Sequence, residues 1–358
     1  MNVQTTDGNS GLSCWDAPSR FESVEALEDF LSHPSIDVVE SVACLDGNVM
    51  ILGAGGKMGP TLAMLAQRAV LESKSDKQII GVSRFSDRAL ADRLSRMGVR
   101  TIACDLMDET ALAALPDVPN IVYMVGTKFG ATAQEPRTWA INAFLPTRVI
   151  DRFRHSRFVV FSSGNVYPFV PAAHGGCTEI TPPAPVGEYA QSVLGRERMF
   201  QHFSVDYGIP CVLLRLNYAV EMRYGVLLDI ARKVWAGDPI KLEMGYVNVI
   251  WQGDANAYAL RAFQLVDCPP RVLNVTGPET LSVRALALHF GRLLDRAPVF
   301  VGEERGEALL SNAQEIHALF GYPRVPIGMV IEWVARWLMD GGPVLGKPTK
   351  FEVRDGRF

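Results

Sequence analysis

The residues best suited to chemistry gather first in one turn, Gly53-Ala-Gly55-Gly56-Lys57-Met58-Gly59-Pro, which follows the apolar run Val49-Met-Ile-Leu and opens a helical stretch. Glycine at 53 and 56 lets a backbone turn tightly and approach a pyrophosphate, and Gly59 lets a helix lie close to a strand. The phosphates would sit on the amino end of that helix. Tight strand-to-helix turns also use glycine for sterics alone, but the strand before, the helix after and the series that follows favour a dinucleotide. The second apolar run ends at Gly81-Val-Ser83-Arg84, where an NAD-selective site usually places a carboxylate for the ribose hydroxyls. A serine and an arginine suit a 2′-phosphate, which Arg84 could pair bidentately, so NADP is favoured over NAD. The alternative for Arg84 is a solvated loop cation. No metal is expected: His174-Gly-Gly-Cys177 lacks further ligands at a recognisable spacing, and the six cysteines stand apart without a C-x-x-C pair, as reduced thiols would.

The elements that must position these residues follow from periodicity. Leu62, Leu65, Ala66 and Ala69 mark one helix face after the glycine turn. Then come Gln78-Ile-Ile-Gly-Val-Ser, a helix near Arg88 to Met97, Val99-Arg-Thr-Ile-Ala-Cys and a short helix. Asn120-Ile-Val-Tyr-Met-Val, a longer helix to about Phe153, and Arg157-Phe-Val-Val-Phe-Ser complete five units. Strand-helix units in series predict an α/β fold, a Rossmann-type doubly wound parallel sheet with a smaller, mainly C-terminal substrate-binding part. A helix at about Glu188 to Tyr207 and a strand at Cys211 to Leu216 extend it. The division expected is 1–47, an N-terminal helical extension; 48–216, the dinucleotide-binding domain; and 217–358, mainly substrate-binding, with some segments returning to the core. In the extension, Ser23 reads as an N-cap with a glutamate at the capping-box position.

Composition narrows the classes. The chain has 358 residues, 48% hydrophobic and 21% charged, with 35 Lys+Arg against 39 Asp+Glu and a net charge of −4. No basic block offers a landing site for nucleic acid or an anionic membrane. With no long apolar run and a polar start from Met1 to Ser10, a cytoplasmic protein is expected.

At the end of the fifth strand stand Phe161-Ser162-Ser163-Gly-Asn165-Val-Tyr167, and further on Gly-Glu-Tyr189-Ala-Gln-Ser-Val193. With these the chain resembles an extended short-chain dehydrogenase/reductase of the NAD-dependent epimerase/dehydratase family, from Asn48 through most of its length. Gly53-x-x-Gly56-x-x-Gly59 matches that family's glycine turn and Asp105-Leu106 its adenine contact. Tyr123-Met-Val125-Gly126 matches its fourth strand, and Gly126-Thr-Lys128-Phe-Gly130 the loop after it, where a lysine reaches the cofactor. Asn142 matches a helix asparagine that braces that strand, Ser163 the active-site serine, and Glu179 and Pro185 the approach to the catalytic tyrosine. Arg305-Gly-Glu before Phe320-Gly-Tyr-Pro resembles a stretch whose arginine contacts substrate phosphates.

The resemblance implies that Tyr189 exchanges a proton with a substrate hydroxyl while hydride moves to or from a nicotinamide, Ser163 orienting the same oxygen. A phenol near pKa 10 is a poor base at neutral pH. The family supplies a lysine one helical turn after the tyrosine, and here that position is Val193. Lys128 is the first candidate to replace it and Arg196 a second; otherwise catalysis is slow, uses an acidic hydroxyl, or is lost. Cofactor contacts are expected from Gly53, Gly55, Gly56, Lys57, Met58, Gly59, Ser83, Arg84, Asp105, Leu106, Val125, Gly126, Asn142 and Tyr189. Substrate contacts are expected from Asn165, His174, Asn217, Trp251 and Arg305, with Trp251 either stacking on a pyranose or in the core. The family usually dimerises through the tyrosine helix, which implies a homodimer. The expected function is an NAD(P)-dependent oxidoreductase, epimerase or dehydratase acting on a hydroxyl carbon of a sugar-like compound; the alternative is a non-catalytic NAD(P)-binding sensor.

Overall fold

Short runs mostly buried on both faces and separated by helices favour a parallel sheet, and the computed structural model, which describes residues 17–128 and 134–357, has that form. Seven parallel strands make the central sheet: β1 (Val49–Leu52), β2 (Ile79–Ser83), β3 (Arg100–Ala103), β4 (Asn120–Tyr123), β5 (Arg157–Ser163), β6 (Cys211–Leu216) and β7 (Arg271–Val275), in the order β7-β6-β5-β4-β1-β2-β3. β1 lies between β2 and β4, with Val49 opposite both Ile79 and Asn120. The chain turns outward in opposite directions from β1 and β4, so a crevice opens at their carboxyl ends, where such sheets bind ligands. β7 comes from the later part of the chain and returns to the sheet beside β6.

Before the sheet lie α1 (Val24–Leu31) and α2 (Ile36–Ala43). The Ser23 hydroxyl caps α1 by accepting from the amide of Ala26. Ala26 holds the third helical position and Glu25 the second, so the reciprocal half of a capping box is missing, and the reading of a glutamate there is corrected. α2 packs on α3 (Gly59–Glu72). Phe21 and Phe30 of this extension form an edge-to-face cluster with Trp333. α4 (Arg88–Arg96) and α5 (Glu109–Ala113) link the next strands.

The single long helix expected before Phe153 is instead three pieces: α6 (Glu135–Trp139), a π-helical turn (Ala140–Phe144) and α7 (Leu145–Arg152). Pro146 has no N–H for the carbonyl of Asn142, four residues earlier, and its ring crowds that carbonyl, so an unbroken α-helix cannot form through it. α8 (Gly187–Tyr207) runs alongside and ends at Gly208 in the left-handed region. One apolar layer, with Leu62, Ala66 and Phe263, fills one face of the sheet, and another, with Val149, Phe158 and Phe200, fills the other.

The later chain adds α9 (Val226–Ala236), α10 (Gln252–Arg261), α11 (Val283–Leu294), α12 (Gln314–Phe320) and α13 (Ile327–Met339). α9, α11 and α13 pack together around a third core that includes Leu227, Phe290 and Val334. The last segment, 343–357, folds back onto the body of the molecule.

Candidate active site

The crevice holds a cleft of about 530 Å³ whose floor and walls include Gly53, Gly55, Ser83, Arg84, Asp105 and Val125. The glycines are sterically required. Gly53 sits at φ +99°, and a side-chain carbon there would lie 3.1 Å from Met124. At Gly55 it would meet the Ser83 hydroxyl at 2.5 Å, and at Gly59 it would strike the backbone of Ala54 at 2.7 Å. The first two keep the cleft floor open to a ligand's backbone; the third brings α3 against the turn. These features fit the phosphates and ribose of a dinucleotide. Asp105 accepts from the amide of Met107 at 3.0 Å, which fixes its carboxylate at the cleft wall, and Leu106 and Gly126 line the same space.

A second cavity of about 170 Å³ lies at the carboxyl ends of β5 and β6, lined by Lys57, Lys128, Ser163, Tyr189, Asn217 and Thr349 among others. β5 ends in Ser163, whose hydroxyl accepts from the amide of Asn165 at 3.2 Å and hydrogen bonds with Tyr189 on the first turn of α8. Burial raises the Tyr189 phenol above its ordinary value; the positive charge of Arg196 and the bond to Ser163 pull the other way. Lys128 Nζ lies 5.7 Å from the centre of the Tyr189 ring and donates to the carbonyl of Thr349 at 3.2 Å. Desolvation lowers its pKa to about 8. Lys57 Nζ donates to the carbonyl of Ala219 at 2.8 Å and stands 3.6 Å over the Tyr224 ring, and desolvation lowers it to about 7.

Val193 is buried in the third core. Arg196, one turn further along α8, is buried and fully engaged: Nη1 donates to the carbonyl of Phe161 at 2.8 Å, Nη2 to Oδ1 of Asn142 at 3.0 Å, and Nε to the Asn142 carbonyl at 3.4 Å. That last carbonyl is the one Pro146 leaves without a helical donor. Asn142 in turn accepts from the amide of Thr127 at 2.9 Å and donates to its carbonyl at 3.0 Å, bracing the loop after β4. Gly126 makes room for the arginine, since a side-chain carbon there would lie 2.5 Å from its Nη2.

Residues 49–223 match the family model described as the NAD dependent epimerase/dehydratase family. That segment belongs to the NAD dependent epimerase/dehydratase family. Solved structures of similar fold include the UDP-glucuronic acid 4-epimerase of Bacillus cereus in complex with UDP-glucuronic acid and NAD, at 16% identity and a TM-score of 0.67 over 82% of this chain and 99% of that one. The UDP-glucose 4-epimerase of Thermotoga maritima, solved with UDP-glucose, shares 14% identity with a TM-score of 0.67 over 82% and 99%. That of Thermus thermophilus, in complex with NAD, shares 17% with a TM-score of 0.65 over 81% and 98%. At these identities the likeness is one of fold. No curated protein matches the sequence.

Set against the epimerase/dehydratase pattern, the expected residues divide. Ser163, Tyr189, Lys128, Asn165 and Asn217 line one cavity. Lys57 and Met58 line that same cavity and do not line the dinucleotide cleft, because the turn directs them toward β6 rather than β2. Trp251 is 2% exposed and packs on Phe30 and Trp333, so the core alternative holds and the stacking one is set aside. His174 is exposed on a short turn and Arg305 on a loop, and neither lines either space. Phe129 and Gly130 of the expected loop lie outside the described residues, as do Cys14 and the polar start. The residues not anticipated are Tyr218, Tyr224 and Thr349. Nothing local announced Thr349. Among the described residues no group of three His, Cys, Asp or Glu side chains could hold a metal, and no helix is long and apolar enough to cross a membrane.

Proposed function

We propose that this chain is an NAD(P)-dependent enzyme acting at a hydroxyl-bearing carbon of a sugar or sugar-like compound, as an epimerase, dehydratase or dehydrogenase. The observation that carries the reading is the hydrogen-bonded Ser163–Tyr189 pair in a cavity at the carboxyl edge of the sheet whose glycine turn floors the dinucleotide cleft. Gly53, Gly55 and Gly56 would hold the phosphates, Asp105 and Leu106 the adenosine, and Val125 and Gly126 the ribose nearer the reacting end. When bound, such a cofactor supplies two-electron redox chemistry. Tyr189 Oη gives or takes the proton of the substrate hydroxyl, and Ser163 Oγ orients that oxygen. Arg196 lowers the cost of the phenolate from behind, through charge, while Lys128 faces the ring from the cavity side; together they stand in for the lysine replaced by Val193.

Ser83 and Arg84 at the cleft edge favour NADP over NAD, and a homodimer through α8 belongs to the same reading. Releasing the nucleotide from denatured protein and identifying it by chromatography and mass tests it: retained NAD(H) or NADP(H) supports it, and the 2′-phosphate decides the role of Arg84. Failure of the chain to bind either dinucleotide, as purified or when added, sinks the proposal. Val193 and the raised Tyr189 phenol favour a second reading, a non-catalytic sensor, and the two part on whether any turnover exists to be lost.

A further inference from the structure

We infer that the substrate is a small free acid, a hydroxylated carboxylate no larger than a monosaccharide, met by Lys57 and Lys128, and that the carboxyl-terminal strap, residues 343–357, excludes sugars carried on a nucleotide. The inference rests on the function proposed above and narrows it.

Room is the first argument. The cavity around Ser163 and Tyr189 measures about 170 Å³, whereas pockets for drug-sized ligands run to roughly 300–1,000 Å³, and a nucleotide-linked sugar is at least that large. Beyond Asn165 and Tyr218, the strap residues Val353, Arg354 and Gly356 leave a space of only about 20 Å³.

The strap is a built wall. Asp229 accepts from both the amide and the hydroxyl of Thr349, at 2.7 and 2.6 Å. Lys233 pairs with Glu352 at 2.8 Å. Arg354 donates to the carbonyls of Glu243 and Glu307 at 3.0 and 2.8 Å and stacks 4.2 Å over Phe169. Phe351 is 2% exposed. Gly356 packs so tightly on Gly187 that a side-chain carbon would lie 2.4 Å from the Val186 carbonyl.

Charge is the second argument. Lys57 and Lys128 both line the cavity, and among the described residues no aspartate or glutamate does. The nearest carboxylates are committed elsewhere: Asp229 to Thr349, and Glu221 to Arg223 at 3.1 Å. A carboxylate entering here would gain charge-assisted hydrogen bonds from amines already stripped of water. For a diphosphate, Arg305 is exposed and outside the cavity, and Arg354, which lines the adjoining space, already donates to the carbonyls of Glu243 and Glu307.

Calorimetric titration of the full chain with its nucleotide bound tests this, using D-glucuronate, D-gluconate, D-glucose and UDP-glucuronate as probes. We expect at least one free acid to bind about tenfold or more tightly than either D-glucose or UDP-glucuronate, from the strength of a charge-assisted bond. In Lys57→Met and Lys128→Met that acid affinity should fall by a similar factor with the nucleotide retained. The two substitutions lie on different loops, so misfolding of one leaves the other to decide. UDP-glucuronate binding as tightly as the free acids, acids binding no better than glucose, or acid affinity that survives both substitutions overturns the inference. Absence of any bound dinucleotide would instead count against the proposed function.

Discussion

At the scale of single residues, the proposed function assigns the part of the missing lysine to two cations, Arg196 on α8 and Lys128 on the loop after β4. Tyr189→Phe keeps the ring and its packing but removes the proton, so turnover should fall at least a hundredfold with nucleotide retention nearly unchanged, read by steady-state kinetics beside nucleotide analysis. Arg196 is the positioned cation. It acts on Tyr189 through charge and on Asn142 through hydrogen bonds. Arg196→Met should therefore move the pH dependence of kcat/KM to higher pH, because the phenolate loses its stabilising charge, while Arg196→Lys should restore part of the shift. A residue that only held the fold would lower activity at every pH alike. The sequence placed Ser163, Asn165, Asn217, Lys128 and Tyr189 together, because strand ends and the first turn of a helix can be located from the chain alone. It ranked Arg196 behind Lys128 because position along α8 does not reveal that Pro146, on another helix, leaves a carbonyl in need of a donor.

At the scale of elements, the strands were legible because runs buried on both faces are continuous, and Cys211–Leu216 matches expectation residue for residue. The helix before Phe153 was not, since its break depends on a proline tolerated in the first turn of α7 and on side chains of α8 that take up the freed groups. The turn after β1 is closely packed. Gly59→Val would drive a side chain into the Ala54 backbone, 2.7 Å from its first carbon. The overpacking should cost about 1–3 kcal/mol, read as a lower urea midpoint with an unchanged slope. If stability were unaffected, the close approach of α3 to the turn would not be a constraint.

For the whole molecule, long-range closure was the part the sequence hid. Trp251 meets Phe30 from the first helices and Trp333 from the last, and no local pattern tells a core tryptophan from one facing a sugar. The charged tail from Lys347 folds back, Thr349 bonding Asp229 and Arg354 bonding the Glu243 carbonyl. The buried amines also leave a global signature. Lys57 and Lys128 have folded pKa values of about 7 and about 8, below the unfolded value near 10.4. Between those limits the unfolded chain binds more protons, so these groups make stability rise as pH increases from about 7 toward 10. Below pH 7 both states are charged and the folded one carries the full desolvation cost. Lys57→Met should thus be stabilised relative to the parent most strongly near pH 6, and the difference in Tm should shrink by pH 9, as thermal melting across pH would show. A constant difference would mean that the amine is hydrated.

The π-helical turn at Ala140–Phe144 has a consequence for how the chain tolerates insertion and deletion. A π turn is an α-helix carrying one residue too many. Removing a single residue there, Ala143 for instance, would not heal the backbone ladder, because Pro146 would still face the carbonyl four residues before it without an N–H to give. The wider π turn takes up the extra residue within one turn, so α6 and α7 keep nearly the facing they would have in a continuous helix, and Arg137 and Thr138 stay on the wall of the dinucleotide cleft. The supernumerary residue therefore acts as slack: it lets the chain pass Pro146 while α6, the π turn and α7 all stay packed on α8.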